Sequence, residues 1–289
     1  MPIERVEFFR HDQGGSRTGR SMVVPSADGS WRAGLRPKIT PQYGGECLWL
    51  SMSGVGHPLY NAARNKHIES GRPVALWDMG YLGKSKNLAD CYVRVSINTD
   101  HPTHAAMDLT DPNPSRWEKL CFEIDGPGSS YDPDGHVLVL GMGPKFHDYM
   151  GEHSWEIDAL QKAAKRFPGR RIVYRPKPRS KTKSGERLDT VDWEDRSEWV
   201  TLKKALSGAS LMITRHSNAA VEACVLGIPV ECDGGAAHWL YHRNPNPSES
   251  ERLDFLYRLA WWQWQFREMG DAWKFLVKKY DELKKGGHL

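Results

Sequence analysis

The sequence predicts an α/β fold built on doubly wound parallel sheet. Three observations carry that prediction. Short apolar runs alternate with helix-length stretches repeatedly between His136 and Cys232. Glycines punctuate the pattern at Gly141, Gly169, Gly208 and Gly227, where strand or helix must stop. The composition is that of a polar globular protein, 39% apolar and 26% charged, neither disordered nor membranous.

In chain order, Met1 to Pro41 is rich in Arg, Gly, Ser and Asp, and Val6–Phe9 and Met22–Val24 read as edge strands among loops. Cys47–Met52 follows a glycine pair and reads as a buried strand running into Gly54-Val55-Gly56. Pro58 suits a helix start, Leu59–Ser70 follows as helix, and Gly71 stops it. Pro73–Trp77 is the next strand, ending on Asp78, and Tyr92–Ile97 is a third, so the first half has parallel-sheet character. Asp108–Gly135 is rich in Pro, Gly and Asp and reads as the boundary between halves.

In the second half, His136–Leu140 is a strand and Gly141-Met142-Gly143-Pro144 a sharp turn. Ser154 suits the cap of a helix through Trp155, Ile157, Leu160 and Ala164, and Ile172–Tyr174 is the strand after it. A long polar loop leads to helix Leu202–Leu206, strand Leu211–Thr214, helix Asn218–Leu226 and strand Pro229–Cys232. At the C-terminus, Leu253, Leu256, Tyr257, Ala260, Trp261 and Trp264 share one helical face. Gly270-Asp271 reads as a stop and new cap before a second amphipathic stripe, Trp273 to Leu283.

Bulk properties narrow the function class. The net charge of +4 permits an anionic partner without demanding one. The twelve Trp suit flat binding surfaces as well as core. Cys47, Cys91, Cys121, Cys224 and Cys232 are odd in number and form no CxxC, which argues against a disulfide framework or structural zinc and fits a reducing cytoplasm. Met1–Gly15 lacks a signal peptide's apolar core, and no apolar run approaches the ~18 residues of a membrane span.

Ligands of open α/β sheets bind beyond the carboxyl ends of the strands. After Leu211–Thr214 stand Arg215, His216, Ser217 and Asn218, where a helix start and a cation suit an anion, with Glu222 one turn on to accept sugar hydroxyls. The competing reading is a plain cap and a solvated acid. After His136–Leu140, Gly141 and Gly143 allow close backbone approach to a diphosphate, within reach of Lys145 and His147; an ordinary turn and a surface histidine are the alternatives. Arg175 and Lys177 follow Ile172–Tyr174 as further phosphate contacts. The loop beyond carries Arg179, Lys181, Lys183 and Arg187, either a basic flap over a polyanion such as DNA or a solvated segment. In the first half, Gly54 and Gly56 follow a strand and are counted with the donor-binding glycines. Asp78 is the preferred base for an acceptor hydroxyl and His57 the second choice, with Asp78 as a turn-former the alternative; Asp100 and His101 are weaker candidates.

The run Ile213-Thr214-Arg215-His216-Ser217-Asn218-Ala219-Ala220-Val221-Glu222-Ala223, followed by Leu226-Gly227-Ile228-Pro229-Val230, resembles the signature of GT-B glycosyltransferases. The resemblance implies Ser217 and Asn218 at the donor diphosphate and Glu222 on the ribose. It implies two facing Rossmann-like domains, with an acceptor domain over 1–130, a nucleotide-sugar domain over 131–250, and C-terminal helices over 251–289 that cross back to the first. The family's second acidic residue near the donor sugar has no clear match, although Asp233 is close to its place. Asp78-Met79-Gly80-Tyr81, Tyr92-Val93-Arg94-Val95 and the Trp/Gln-rich Leu259–Phe266 with Ala272-Trp273 are similar to small phage-encoded glycosyltransferases. That likeness implies a UDP-sugar donor and 5-hydroxymethylpyrimidine in double-stranded DNA as acceptor, inside an infected cell. Neither a tightly bound cofactor nor a metal is required, since Arg215, Lys145 or the helix start can neutralise the leaving diphosphate. Alternatives are a surface-glycan or small-molecule acceptor, a sugar epimerase of the same fold, and a non-catalytic nucleotide- or DNA-binding module. A dinucleotide dehydrogenase fits less well, because Gly141-Met142-Gly143 lacks the third glycine.

Overall fold

The computed structural model describes residues 5–9, 17–53, 58–83, 90–120, 130–143, 147, 154–177, 191–197 and 200–289. The chain divides into two compact units, Met1–Leu120 with Leu256–Leu289, and Cys121–Phe255. Each is built on its own sheet.

In the first unit the strands are β1 (Arg5–Phe9), β2 (Arg36–Thr40), β3 (Trp49–Ser53), β4 (Val74–Met79), β5 (Tyr92–Ile97) and β10 (Gln263–Gln265), in the spatial order β10-β5-β4-β3-β1-β2. Strands β4, β3, β1 and β2 are parallel, while β5 and β10 run antiparallel to their neighbours. The expected parallel character thus stops at β4. There β5 returns alongside β4 in antiparallel register.

Period-two alternation sorts the two faces. Phe9, Leu50, Met52, Val74 and Leu76 pack with Tyr60 and Ala63 of helix Pro58–Glu69. On the opposite face Phe8, Trp49 and Trp77 meet Trp273 of helix Met269–Lys285, with ring centroids 5.9, 5.7 and 5.4 Å away. The Trp273 indole donates to Ser26 O at 2.9 Å, so its one polar atom is satisfied although the side chain is fully buried.

Four local readings need correction. Val6–Phe9 forms an interior strand, not an edge, and Met22–Val24 lies in helix Arg17–Arg32, which tolerates Pro25. The C-terminal helix ends at Ala260, and Trp264 sits in β10, paired with Val93. Gly270 lies inside the first turn of helix Met269–Lys285, not at a stop.

The second unit has β6 (Tyr131–Leu140), β7 (Ile172–Arg175), β8 (Ala209–Thr214) and β9 (Val230–Cys232), all parallel, in the order β7-β6-β8-β9. Helix Trp155–Arg166 covers one face, burying Leu160 and Ala163 against Val137, Val139, Ile172 and Tyr174. Short helices Leu202–Leu206 and Ala219–Val225 follow β7 and β8 as expected. The cap readings shift slightly. Ser154 Oγ donates to Asp158 Oδ2 instead of capping its helix, and Asn218 makes no side-chain cap bond. Among the described residues no helix is long and apolar enough to cross a membrane.

Candidate functional site

The four strands of the second unit finish level. Leu140 is in register with Arg175 on one side and Thr214 on the other, and Thr214 with Cys232. One sheet edge therefore collects Gly141–Gly143, Arg175–Lys177, Arg215–Asn218 and Asp233–Gly235, the edge where such sheets bind ligands.

At the end of β8, Ser217 Oγ accepts the Ala219 N–H at 3.2 Å and its carbonyl accepts that of Ala220 at 3.0 Å. Arg215 lies beside Asp233: its carbonyl accepts the Asp233 N–H at 3.1 Å, and its Nη1 is 3.6 Å from Asp233 Oδ2. Trp155 Nε1 donates to the same carboxylate oxygen at 3.3 Å. The Asp233 side chain is 63% exposed, so this pair is held weakly. Gly235 has φ +83°, and a Cβ there would stand 3.0 Å from His216 O, which is why the turn over His216 takes glycine. A cavity of about 230 Å³, lined in part by Trp155, Asp158, Lys162, Thr214 and Asp233, opens beside these residues.

Helix Ala219–Val225 ends at Gly227, φ +73°, and Arg252 Nη1 donates to Cys224 O at 2.9 Å. Burial pushes the Cys224 thiol up to about 12, in keeping with a packing role. Glu222, half-buried on this helix, lies within electrostatic reach of Arg175 at the end of β7. Arg175 is only 9% exposed; its Nη2 donates to Val200 O at 3.1 Å, and its Nε has no hydrogen-bond partner. Burial weakens its hold on the proton, and the Glu222 charge opposes that effect.

At the end of β6, a Cβ on Gly141 would meet Tyr174 Oη at 2.6 Å, and one on Gly143 would meet Lys177 Cδ at 3.0 Å. This turn presses on β7 and the residues after it. Glu156, 2% exposed, accepts the Met142 N–H at 2.8 Å through Oε1 and pairs with His147 Nε2 at 3.0 Å through the same atom. Sequence reasoning passed over Glu156, because an acid in a helix's first turn is ordinary and its burial leaves no sequence signal.

In the first unit, Asp78 faces Arg94 across β4 and β5. Arg94 Nη2 donates to Asp78 Oδ2 at 2.8 Å, and the Met79 N–H donates to Oδ1 at 2.8 Å, leaving the carboxylate 45% exposed. The Arg94 guanidinium lies 5.8 Å from the buried Tyr81 ring, whose hydroxyl meets His101 Nδ1 at 3.2 Å. Arg64 pairs with Asp100 at 3.4 Å. Burial raises the Asp100 carboxyl above the ordinary range, and Arg64 and Arg94 pull it back. Asp78, Asp100 and His101 thus share one polar cluster. Gly54, Gly56, His57, Lys145, Arg179, Lys181, Lys183 and Arg187 lie outside the described residues. No three His, Cys, Asp or Glu side chains come together as a metal cage among the described residues.

No protein-family model matches the sequence, and no curated protein matches it. Solved structures do. "Thermosulfurimonas dismutans KpsC, beta Kdo 2,4 transferase" aligns at TM-score 0.55 and 13% identity, over 90% of this chain and 91% of that one. "Thermosulfurimonas dismutans KpsC, beta Kdo 2,7 transferase" aligns at TM-score 0.47 and 14% identity, over 89% of each chain. "Spinosyn Rhamnosyltransferase SpnG" aligns at TM-score 0.32 and 15% identity, over 98% of this chain and 96% of that one. The first of these likenesses is one of fold: the chain has a mixed α/β, GT-B-like architecture.

Proposed function

We propose that the protein transfers a sugar from a nucleotide-sugar donor to a hydroxyl acceptor. The observation that carries this is the level carboxyl edge of β7-β6-β8-β9, which gathers a glycine turn, two arginines and Glu222 on a glycosyltransferase-like sheet. In this reading Arg215, Ser217 and Asn218 take the donor phosphates, with Arg175, Lys145 and Lys177 as further cations, and Glu222 takes the ribose hydroxyls. Binding phosphate draws Arg215 away from Asp233, whose carboxylate is left in solvent. Asp78 accepts the acceptor's proton, and Arg94 holds its carboxylate in place.

The donor we favour is a UDP-sugar and the acceptor 5-hydroxymethylpyrimidine in double-stranded DNA. The phage-like sequence pieces support this, as do the basic residues Arg179, Lys181 and Lys183, available as contacts to a DNA backbone. The test is incubation with labelled UDP-glucose and hydroxymethylated or unmodified DNA. Label should enter only the hydroxymethylated duplex, and Asp78→Asn should abolish it. Absence of transfer from any nucleotide sugar to either DNA would remove the DNA acceptor. A second reading, a glycan acceptor, draws on the fold neighbour described as a Kdo transferase.

A further inference from the structure

The carboxylate of Glu156 is buried in the second unit at a place where packing alone would favour an apolar side chain. Taking a carboxylate out of water is costly unless donors replace the lost hydration. Here three features do so: the Met142 N–H at 2.8 Å, His147 Nε2 at 3.0 Å, and the N-terminal first turn of a twelve-residue helix. Both donors belong to the segment that follows β6. The His147 N–H also donates to Gly143 O at 3.3 Å. The same turn lies against Tyr174 and Lys177 at its two glycines. Glu156 therefore holds both the Met142 backbone N–H and the His147 imidazole, beside a turn whose Gly143 lies against Lys177.

We infer that Glu156 is a positioning residue of the donor site: it holds His147 and the Gly141–Gly143 turn so that the imidazole and the turn's backbone face the donor phosphate. This rests on the nucleotide-sugar reading above and assigns the end of β6 a share in phosphate binding beside the end of β8.

The test is a double-mutant cycle on the full chain with Glu156→Gln and His147→Gln, reading UDP affinity by calorimetry and folding by thermal melting. Each single variant should bind UDP about tenfold more weakly, and the double variant no more weakly than either single one. A purely structural Glu156 lowers the melting temperature and leaves UDP affinity intact; that result overturns the inference, as do additive losses. If the wild-type protein binds neither UDP nor any other nucleotide, the nucleotide-sugar reading falls and this inference with it. Nucleotide binding with an additive cycle removes the inference alone.

Discussion

Arg175 is a buried guanidinium that the fold satisfies only in part: Nη2 donates to Val200 O, and Nε has no partner. Replacing such a group with an apolar side chain of similar length often leaves stability unchanged or improved. We therefore expect Arg175→Met to melt no lower than the wild type and to bind UDP about tenfold more weakly, by calorimetry. A steep fall in melting temperature with unaltered UDP binding would mean that the arginine serves packing alone. His67 offers a contrasting case. It is fully buried, its Nδ1 meeting the Tyr43 hydroxyl and its Nε2 meeting Leu48 O, both at 3.0 Å. Burial holds its proton affinity below the ordinary histidine value. Below ~6.5 the unfolded chain binds a proton that the native chain refuses, so ν_U exceeds ν_N and stability falls as pH falls. Urea midpoints should drop from about pH 7.5 to about pH 5.5, and His67→Gln should lessen the drop. Midpoints equally pH-dependent in that variant would assign the effect elsewhere.

Elements show what was legible in the sequence. The run from β8 through helix Ala219–Val225 to β9 could be read closely because its signals are local: an apolar run, small residues at a helix start, and Gly-x-Pro before the next strand. Trp264 was misplaced for a physical reason. Trp261 and Trp264 continue the helical stripe, yet Trp262, Gln263 and Trp264 are buried beside β5, a tertiary partner that no local pattern reveals. Helix Arg17–Arg32 was hidden by Pro25 and its glycines, whose poor helix propensity is overridden by packing. Gly29 shows how close that packing is, since a Cβ there would lie 2.6 Å from the Met269 carbonyl carbon. Gly29→Ala should cost about 1–3 kcal/mol in urea denaturation, against the usual gain for glycine to alanine in a helix. A stabilised variant would show that the two helices can part without penalty. At the candidate site, Arg215, Ser217 and Glu222 could be named from the sequence because they are one local stretch. The Arg175–Glu222 and Glu156–His147 relations were not legible, since each joins residues on different elements.

The whole molecule is two units of unequal continuity. Cys121–Phe255 is one uninterrupted stretch, whereas the other unit joins Met1–Leu120 to Leu256–Leu289. Trp273 is the hinge of that union in energetic terms, touching Phe8, Trp49 and Trp77 at once. Trp273→Ala should cost about 3–5 kcal/mol. Hydrogen exchange should speed in β1, β3 and β4 while β6 and β8 keep their protection; uniform loss across both sheets would contradict this division.

Discontinuity also sets an order of events on the ribosome. Cys121–Phe255 is complete as soon as its own residues have emerged, and can close over Leu160 at once. Phe8, Trp49 and Trp77, made earlier than that stretch, must wait uncovered until Trp273 has followed it. The unit begun before Cys121–Phe255 is therefore completed after it, and through that interval its aromatic face is a point of exposure to chaperones and to aggregation.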